Sequence, residues 1–291
     1  MNRNMLVRTM VAAVAIPIIL LICYAGGGWL FGMVTVFAVV AMAELMIAEG
    51  YKPGGPVFWL GLLTVIASML TAGERLFDGT PLGGVVHALA LVTGDFPLLV
   101  VVFIVSAMIV ALGRKSPAEL FMYHGRFMWG MIYLALLYPY VFAVGELGSY
   151  LGATGAVGGD WLLFLFGLLW LGDSAAMWVG QALGKTKLAP SVSPNKTVEG
   201  FMGGILGAIV VAFILGFWRL AGVPLWHLLI MAVACSVVGQ LGDLVESMWK
   251  RSLALKDSSA LIPGHGGVLD RFDSLLFAAP VMYLYMRLFL K

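Results

Sequence analysis

The sequence predicts an all-α, polytopic integral membrane protein with about nine transmembrane helices, its N-terminus inside and its C-terminus outside. Composition is the first reason. Apolar and aromatic residues make up 62% of the 291 residues and charged residues only 11%, with a mean hydropathy of +1.01, so a hydrated surface cannot be assembled from this chain. The second is the recurrence of apolar runs of roughly 20 residues, the length that crosses about 30 Å of hydrocarbon as helix. The third is the sidedness of charge. If the runs alternate across a bilayer, 13 of the 17 Lys and Arg residues fall on one side, and Arg75, Arg219, Arg287 and Lys291 on the other. The richer side is then cytoplasmic.

The runs lie at 5–25, 28–48, 56–72, 97–113, 127–145, 160–183, 198–219, 223–249 and 272–290. The first follows Arg3 and Arg8 as a secretory signal would, but no small-residue cleavage site closes it, so it is expected to remain as an anchor. The stretch from Leu82 to Val92 is apolar but short, which suits an interfacial or re-entrant segment. Residues 1–126 therefore read as N-terminal transmembrane helices. Residues 127–291 read as a C-terminal transmembrane region that gathers the candidate catalytic residues, with cytoplasmic loops at 184–197 and 250–271, in one continuous membrane domain. Cys23 and Cys235 stand far apart within apolar runs, so neither a disulfide framework nor a CxxC metal site is available. The net charge of +2 and the scarcity of charge exclude a disordered chain or a nucleic-acid coat, and no nucleic-acid partner is expected.

Acids at membrane depth carry the functional information, because an unpaired carboxylate in hydrocarbon is expensive. Glu44 has no other charge within a turn and is expected to be a packed or snorkelling side chain at least as much as a site. Asp173 stands among Gly172, Ala175, Ala176 and Gly180, a small-residue face for helix contact, and its two readings weigh evenly. Asp243, Glu246, Ser247 and Lys250 recur at i, i+3, i+4 and i+7 and so share one helix face near the cytoplasmic edge, the setting of a polar cavity.

Two loops suit a polyphosphate. In the second, residues 250–273, Pro263, Gly264, Gly266 and Gly267 permit tight turns whose N–H groups can face an anion. Lys250, Arg251, Lys256 and Arg271 supply charge-assisted bonds, although positive-inside decoration alone would also place them there. Asp270 and Asp273 open the last helix one turn apart and offer oxygen ligands to a hard cation. In the first loop, Ser193, Lys196, Thr197 and the free N–H groups of the helix that follows form a phosphate seat. Gly200, Gly203, Gly204 and Gly207 then provide GxxxG spacings for close helix contact. A P-loop fails: Val179 stands where the first glycine belongs, and the segment follows a helix. His87, His124, His227 and His265 show no zinc spacing, and nothing resembles a nucleophile elbow.

The pattern Ser247-x-x-Lys-Arg-x-x-x-x-Lys-Asp-x-x-x-x-x-Pro-Gly-His-Gly-Gly-x-x-Asp-Arg-x-Asp273 resembles the signature of phosphatidate cytidylyltransferases. Asp173-Ser-Ala-Ala, Gly184-Lys-x-Lys-Leu-Ala-Pro, Ser193-Pro-x-Lys-Thr-x-Glu-Gly200 and Gly242-Asp243 resemble that family too, in its order, whereas the earlier helices match only in being hydrophobic and numerous. The resemblance implies magnesium-dependent transfer of a cytidylyl group from CTP to phosphatidate, giving CDP-diacylglycerol and pyrophosphate, with a second cation left open. It also implies an all-helical homodimer among the lipids of a bacterial-type inner membrane, with its active site facing the cytoplasm. Carried over by residue, Asp243 and Asp270 are the metal-site acids, supported by Asp173 and Asp273, and with Lys250, Arg251, Arg271 and His265 they form the catalytic set. Ser193, Lys196, Thr197, Ser247, Lys256, Asp257, Gly266 and Gly267 are the nucleotide-binding candidates. An isoprenoid-lipid cytidylyltransferase or a CTP-dependent polyprenol kinase has the same needs. A cation-coupled transporter explains the buried acids but not the Pro-Gly-His-Gly-Gly loop, and a scaffold explains neither.

Overall fold

A computed structural model describes residues 3–87, 125–151 and 155–290. Among these, eight helices carry the apolar runs. Helix α1 (Arg3–Ala25) is separated from α2 (Gly27–Ala48) by a joint in which Gly26 and Gly27 take φ of 62° and 48°, a left-handed conformation that side chains with a Cβ adopt at a cost. Helix α3 (Pro56–Ala72) starts on a proline, whose missing N–H is no loss in a first turn.

Helix α4 (Gly125–Tyr150) contains a π-helical turn at Met131–Ala135 ahead of its second half, Tyr138–Tyr150. Pro139 explains the irregularity: it has no N–H to give the carbonyl four residues back, that of Ala135. Ser68 of α3 donates its hydroxyl to that carbonyl instead, as a polar group in a bilayer requires.

Helix α5 (Gly158–Leu183) leads into a short antiparallel hairpin, β1 (Lys187–Ala189) and β2 (Ser193–Thr197), in which Lys187 faces Thr197 and Ala189 faces Ser193. Helices α6 (Val198–Trp218), α7 (Leu225–Ser252) and α8 (Leu269–Phe289) complete the chain. The hairpin departs from the all-α expectation: residues 184–197 are not an open loop, because β2 runs directly into α6 and needs a partner for its backbone groups.

Among the described residues, six helices, α2 and α4 to α8, are long and apolar enough to cross a membrane. The apolar part of α1, Thr9–Ala25, and α3 are shorter. The expected run at 97–113 and the end of the Leu82 to Val92 stretch lie outside the described residues, where the nine-span count cannot be read; residues 83–87 are helical. Helix α8 begins at Leu269, earlier than its apolar run predicts, so Asp270 and Asp273 both sit in its opening turns.

Trp161, Tyr138, Phe127, Phe142 and Phe164 are fully buried at the centre of the bundle. Exposed side chains such as Val36, Leu206 and Phe217 are as apolar as the buried ones, which suits helices surrounded by hydrocarbon. Helix α6 lies against α5 at backbone distance: a Cβ on Gly203 would stand 2.6 Å from that of Val179, and one on Gly207 2.7 Å from that of Ala175. The GxxxG expectation is thus met, and the close approach presents the start of α6 beside Asp173. At the opposite end, Asp160, almost fully buried, accepts from Tyr24 Oη at 2.8 Å, Arg219 Nε at 2.6 Å and the Val157 N–H at 3.0 Å, tying α1, α5 and the end of α6 together.

Candidate active site

The polar ends of α5, α7 and α8 and the hairpin converge on two cavities that share Asp173 and Asp243. One, of about 640 Å³, is lined by Lys250, Asp257, His265, Asp270, Arg271 and Asp273, and its far wall by Val11, Ala15, Ile16 and Ile19 of α1. The other, of about 610 Å³, is lined by Gly180, Asn195, Lys196, Thr197 and Gln240. One cavity therefore joins cations and carboxylates to an apolar wall, and its neighbour presents a lysine and the start of a helix.

Asp243 is the hinge between them. Its Oδ2 pairs with Lys196 Nζ at 2.7 Å, and its Oδ1 accepts a long 3.3 Å bond from Ser247 Oγ four residues on. Both members of the ion pair keep about three-tenths of their side-chain surface open to the cavity, so a substrate anion can compete for Lys196. Thr197, expected among the phosphate contacts, uses its Oγ1 to cap α6 by accepting from Gly200 N at 3.1 Å. Ser193, at the start of β2, is half-buried. Glu199 anchors the hairpin by accepting from the backbone N–H groups of Lys185 and Thr186 at 3.1 and 3.2 Å.

Lys250 reaches inward to two acids, Glu246 at 2.6 Å and Asp270 at 2.8 Å. Glu246 is fully buried, and its Oε1 has no hydrogen-bond partner among the described residues. Asp270 is saturated. Oδ1 takes Lys250 Nζ and the Ser258 N–H at 3.1 Å; Oδ2 takes the Ser258 N–H and Oγ, both at 2.9 Å, and the Gly267 N–H at 2.7 Å. Its carboxylate thus closes residues 258–267 into a loop over the start of α8, with four donors gathered about its two oxygens.

Gly266, at φ 80°, turns the chain here, and a Cβ on Gly267 would stand 2.1 Å from Ser258 Oγ. Both expected glycines serve backbone approach within the protein. His265 Nδ1 lies 3.4 Å from the Pro263 carbonyl, too far for a firm bond, and its ring faces the first cavity. Arg251 gives its guanidinium to backbone carbonyls, Val192 in the hairpin turn at 3.3 Å and Leu255 at 2.8 Å, and so joins the two loops. Arg271, Lys256 and Asp257 are exposed, Arg271 and Asp257 at the cavity.

Sequence reasoning missed Ser258 and Ser259 and left Glu44 between packing and function. Glu44 accepts from Ser259 Oγ at 2.6 Å, Leu269 N at 2.9 Å and Val268 N at 3.0 Å, and Ser258 Oγ lies at 3.5 Å. It is neither snorkelling nor idly packed; it holds the signature loop and the first turn of α8. Ser258 and Ser259 are its loop partners. The one available signal was that Glu44 is the only charge in the 22 residues of α2.

A bundle with apolar sides and a basic and acidic cavity open to its own hydrocarbon-facing helix is the class of membrane protein that handles a phosphate-bearing molecule with an apolar tail. The cytidylyltransferase family model matches residues 6–289, and the chain belongs to that family. A phosphatidate cytidylyltransferase from Staphylococcus haemolyticus is 33% identical over 282 residues, 96% of this chain and 97% of the relative. One from Bacillus subtilis is 45% identical over 158 residues, 54% of this chain and 56% of the relative. A third, from Staphylococcus aureus, is 31% identical over 278 residues, 96% and 97% of the two chains.

Proposed function

We propose that this protein is a phosphatidate cytidylyltransferase: it transfers a cytidylyl group from CTP to phosphatidate, forming CDP-diacylglycerol and pyrophosphate in phospholipid biosynthesis. The observation that carries the reading is near-complete alignment with proteins of that name, 33% identical over 96% of the chain. The cavity lined by Arg271, His265 and Lys250 with an apolar wall from α1 supports a lipid phosphate there, with its chains along α1. The neighbouring cavity, with Lys196 and the start of α6, supports the nucleotide. Asp173 and Asp243, common to both, mark the place where the two substrates meet.

Magnesium belongs to the proposal. Magnesium usually keeps substrate phosphates in its shell and takes only one or two protein carboxylates. Asp243 is the residue to hold it, with Asp173 and Asp273 on the same cavity; bound there, magnesium would offset phosphate charge. Asp270, engaged by Lys250 and the loop, holds the lysine in place instead. The lipid phosphate is already anionic at neutral pH, a phosphomonoester's second pKa being about 6. A general base therefore has little to do. Two polyanions must be brought together, and Lys196, Lys250 and Arg271 supply the charge that permits it.

The basic asymmetry supports a multi-pass protein of a bacterial inner membrane with this end in the cytoplasm, where CTP is found, and we retain nine spans, a single continuous domain and the homodimer as parts of the reading. Detergent-purified chain with labelled CTP and magnesium should form CDP-diacylglycerol and pyrophosphate in equal amounts with phosphatidate. Product with an isoprenoid monophosphate and none with phosphatidate would replace this reading with the isoprenoid one.

A further inference from the structure

We propose that Glu44, on α2, is a positioning residue for the cytidylyl transfer: its carboxylate clamps the loop 258–268 and the first turn of α8 so that Asp270 and Lys250 are held at the cavity. This rests on the transfer reaction proposed above. It also gives the N-terminal helices, which lie outside the signature from Ser247 to Asp273, a part in the site.

The geometry is that of a cap supplied from a distant helix. Helix α8 begins without a side-chain cap of its own, since Val268 occupies the N-cap. Its first N–H groups go to Glu44, Val268 N to Oε1 at 3.0 Å and Leu269 N to Oε2 at 2.9 Å, across 224 and 225 residues of sequence. Ser259 Oγ adds a third short bond, to Oε1 at 2.6 Å. Ser258 Oγ carries one hydrogen and gives it to Asp270 at 2.9 Å, so its 3.5 Å approach to Glu44 is a dipole contact only. No Lys or Arg pairs with Glu44 among the described residues; N–H donors and the positive end of α8 are what hold its charge.

The Gly267 peptide lies between two carboxylates. Its N–H goes to Asp270 Oδ2 at 2.7 Å, while the position of a Cβ falls 2.7 and 2.8 Å from the two oxygens of Glu44. Glu44 therefore fixes one side of the loop whose other side fixes Asp270. Asp270 in turn orients Lys250. Loss of the clamp leaves α7 and α8 packed but frees the loop bearing His265 at the cavity.

The test uses the full chain in detergent. Glu44→Gln keeps the shape and turns one acceptor oxygen into a donor that faces a donor. Per folded molecule, the phosphatidate KM should rise and kcat fall, each by about tenfold, together the scale of one lost charge-assisted bond, because the clamped loop lines the lipid-phosphate cavity. A nitroxide on Leu261→Cys, an exposed loop position, in a background lacking Cys23 and Cys235, should become more mobile. Asp160→Asn, which weakens the buried acid knot at the opposite end, should lower thermal stability with phosphatidate KM and nitroxide mobility unchanged. Wild-type phosphatidate KM and mobility in folded Glu44→Gln would overturn the proposal, as would the same shifts in Asp160→Asn. Should Glu44→Gln not fold, Ser259→Ala removes the 2.6 Å donor alone; an about threefold rise in phosphatidate KM supports the clamp, and no change overturns it. If the unmodified chain makes no CDP-diacylglycerol, the reaction reading fails, and nitroxide mobility alone then decides whether Glu44 holds the loop.

Discussion

Replacing Asp270 by Asn separates a structural carboxylate from a metal ligand. The amide keeps most of its bonds if its oxygen takes the Oδ2 position, where the Ser258 N–H, Ser258 Oγ and Gly267 N–H converge at 2.7 to 2.9 Å. Its NH2 then faces the Lys250 ammonium and the Ser258 N–H, donors both, where Oδ1 had accepted at 2.8 and 3.1 Å. Removing one partner of a buried ion pair costs about 3 to 5 kcal/mol. Here Lys250 keeps Glu246 at 2.6 Å, so the lower part of that range or somewhat less applies, about 2 to 3 kcal/mol. Expressed at the transition state, that is a loss of about 30- to 150-fold in kcat/KM. The assay is CDP-diacylglycerol formation in mixed micelles, titrated with magnesium, with monodispersity and thermal stability checked on the same sample. Asp270→Asn should stay low at every magnesium concentration. Asp243→Asn should require more magnesium and recover in part, because its carboxylate faces the cavity and no backbone depends on it. Recovery of Asp270→Asn to within about threefold of wild type at high magnesium would refute the reasoning and return that residue to the metal.

Single cysteines at Lys187 and Leu261, in a chain lacking Cys23 and Cys235, should escape impermeant thiol reagents in intact cells and react once the membrane is permeabilised; early labelling reverses the orientation. Ser258 is unsuited to that experiment because it is buried against Asp270 and Glu44. Gly267→Ala puts a methyl 2.1 Å from Ser258 Oγ, within the paired carboxylates, and should lower turnover by about a hundredfold or more with the far-ultraviolet helix signal unchanged; wild-type turnover would mean the loop does not need this closure. Direct attack of a phosphatidate oxygen on CTP, with pyrophosphate leaving, predicts that labelled pyrophosphate exchanges into CTP only when phosphatidate or CDP-diacylglycerol is present; exchange in lipid-stripped enzyme with magnesium and CTP alone would make His265 a nucleophile.

Class and chemistry were legible from the sequence because both depend on local facts. An apolar run of bilayer length forms a helix whatever its neighbours, and the described helices α1 to α8 follow such runs closely. The signature from Ser247 to Asp273 announced its chemistry because glycines, lysines and aspartates in that density have no use in hydrocarbon. The division of labour within it was not legible. Asp270 and Asp243 read alike in sequence, and only the fold gives one a full set of donors and leaves the other open to the cavity. Thr197 and Arg251 read as phosphate contacts, and folding spends the first on a helix cap and the second on backbone carbonyls of two loops. Glu44 is the extreme case. A carboxylate alone in an apolar helix has no local partner to reveal its purpose, because its donors lie more than two hundred residues away and meet it only when α2 packs beneath the start of α8. Periodicity and motif record what each segment must bury or bind, but which donor satisfies which acceptor is a property of packing, and packing exists only in three dimensions.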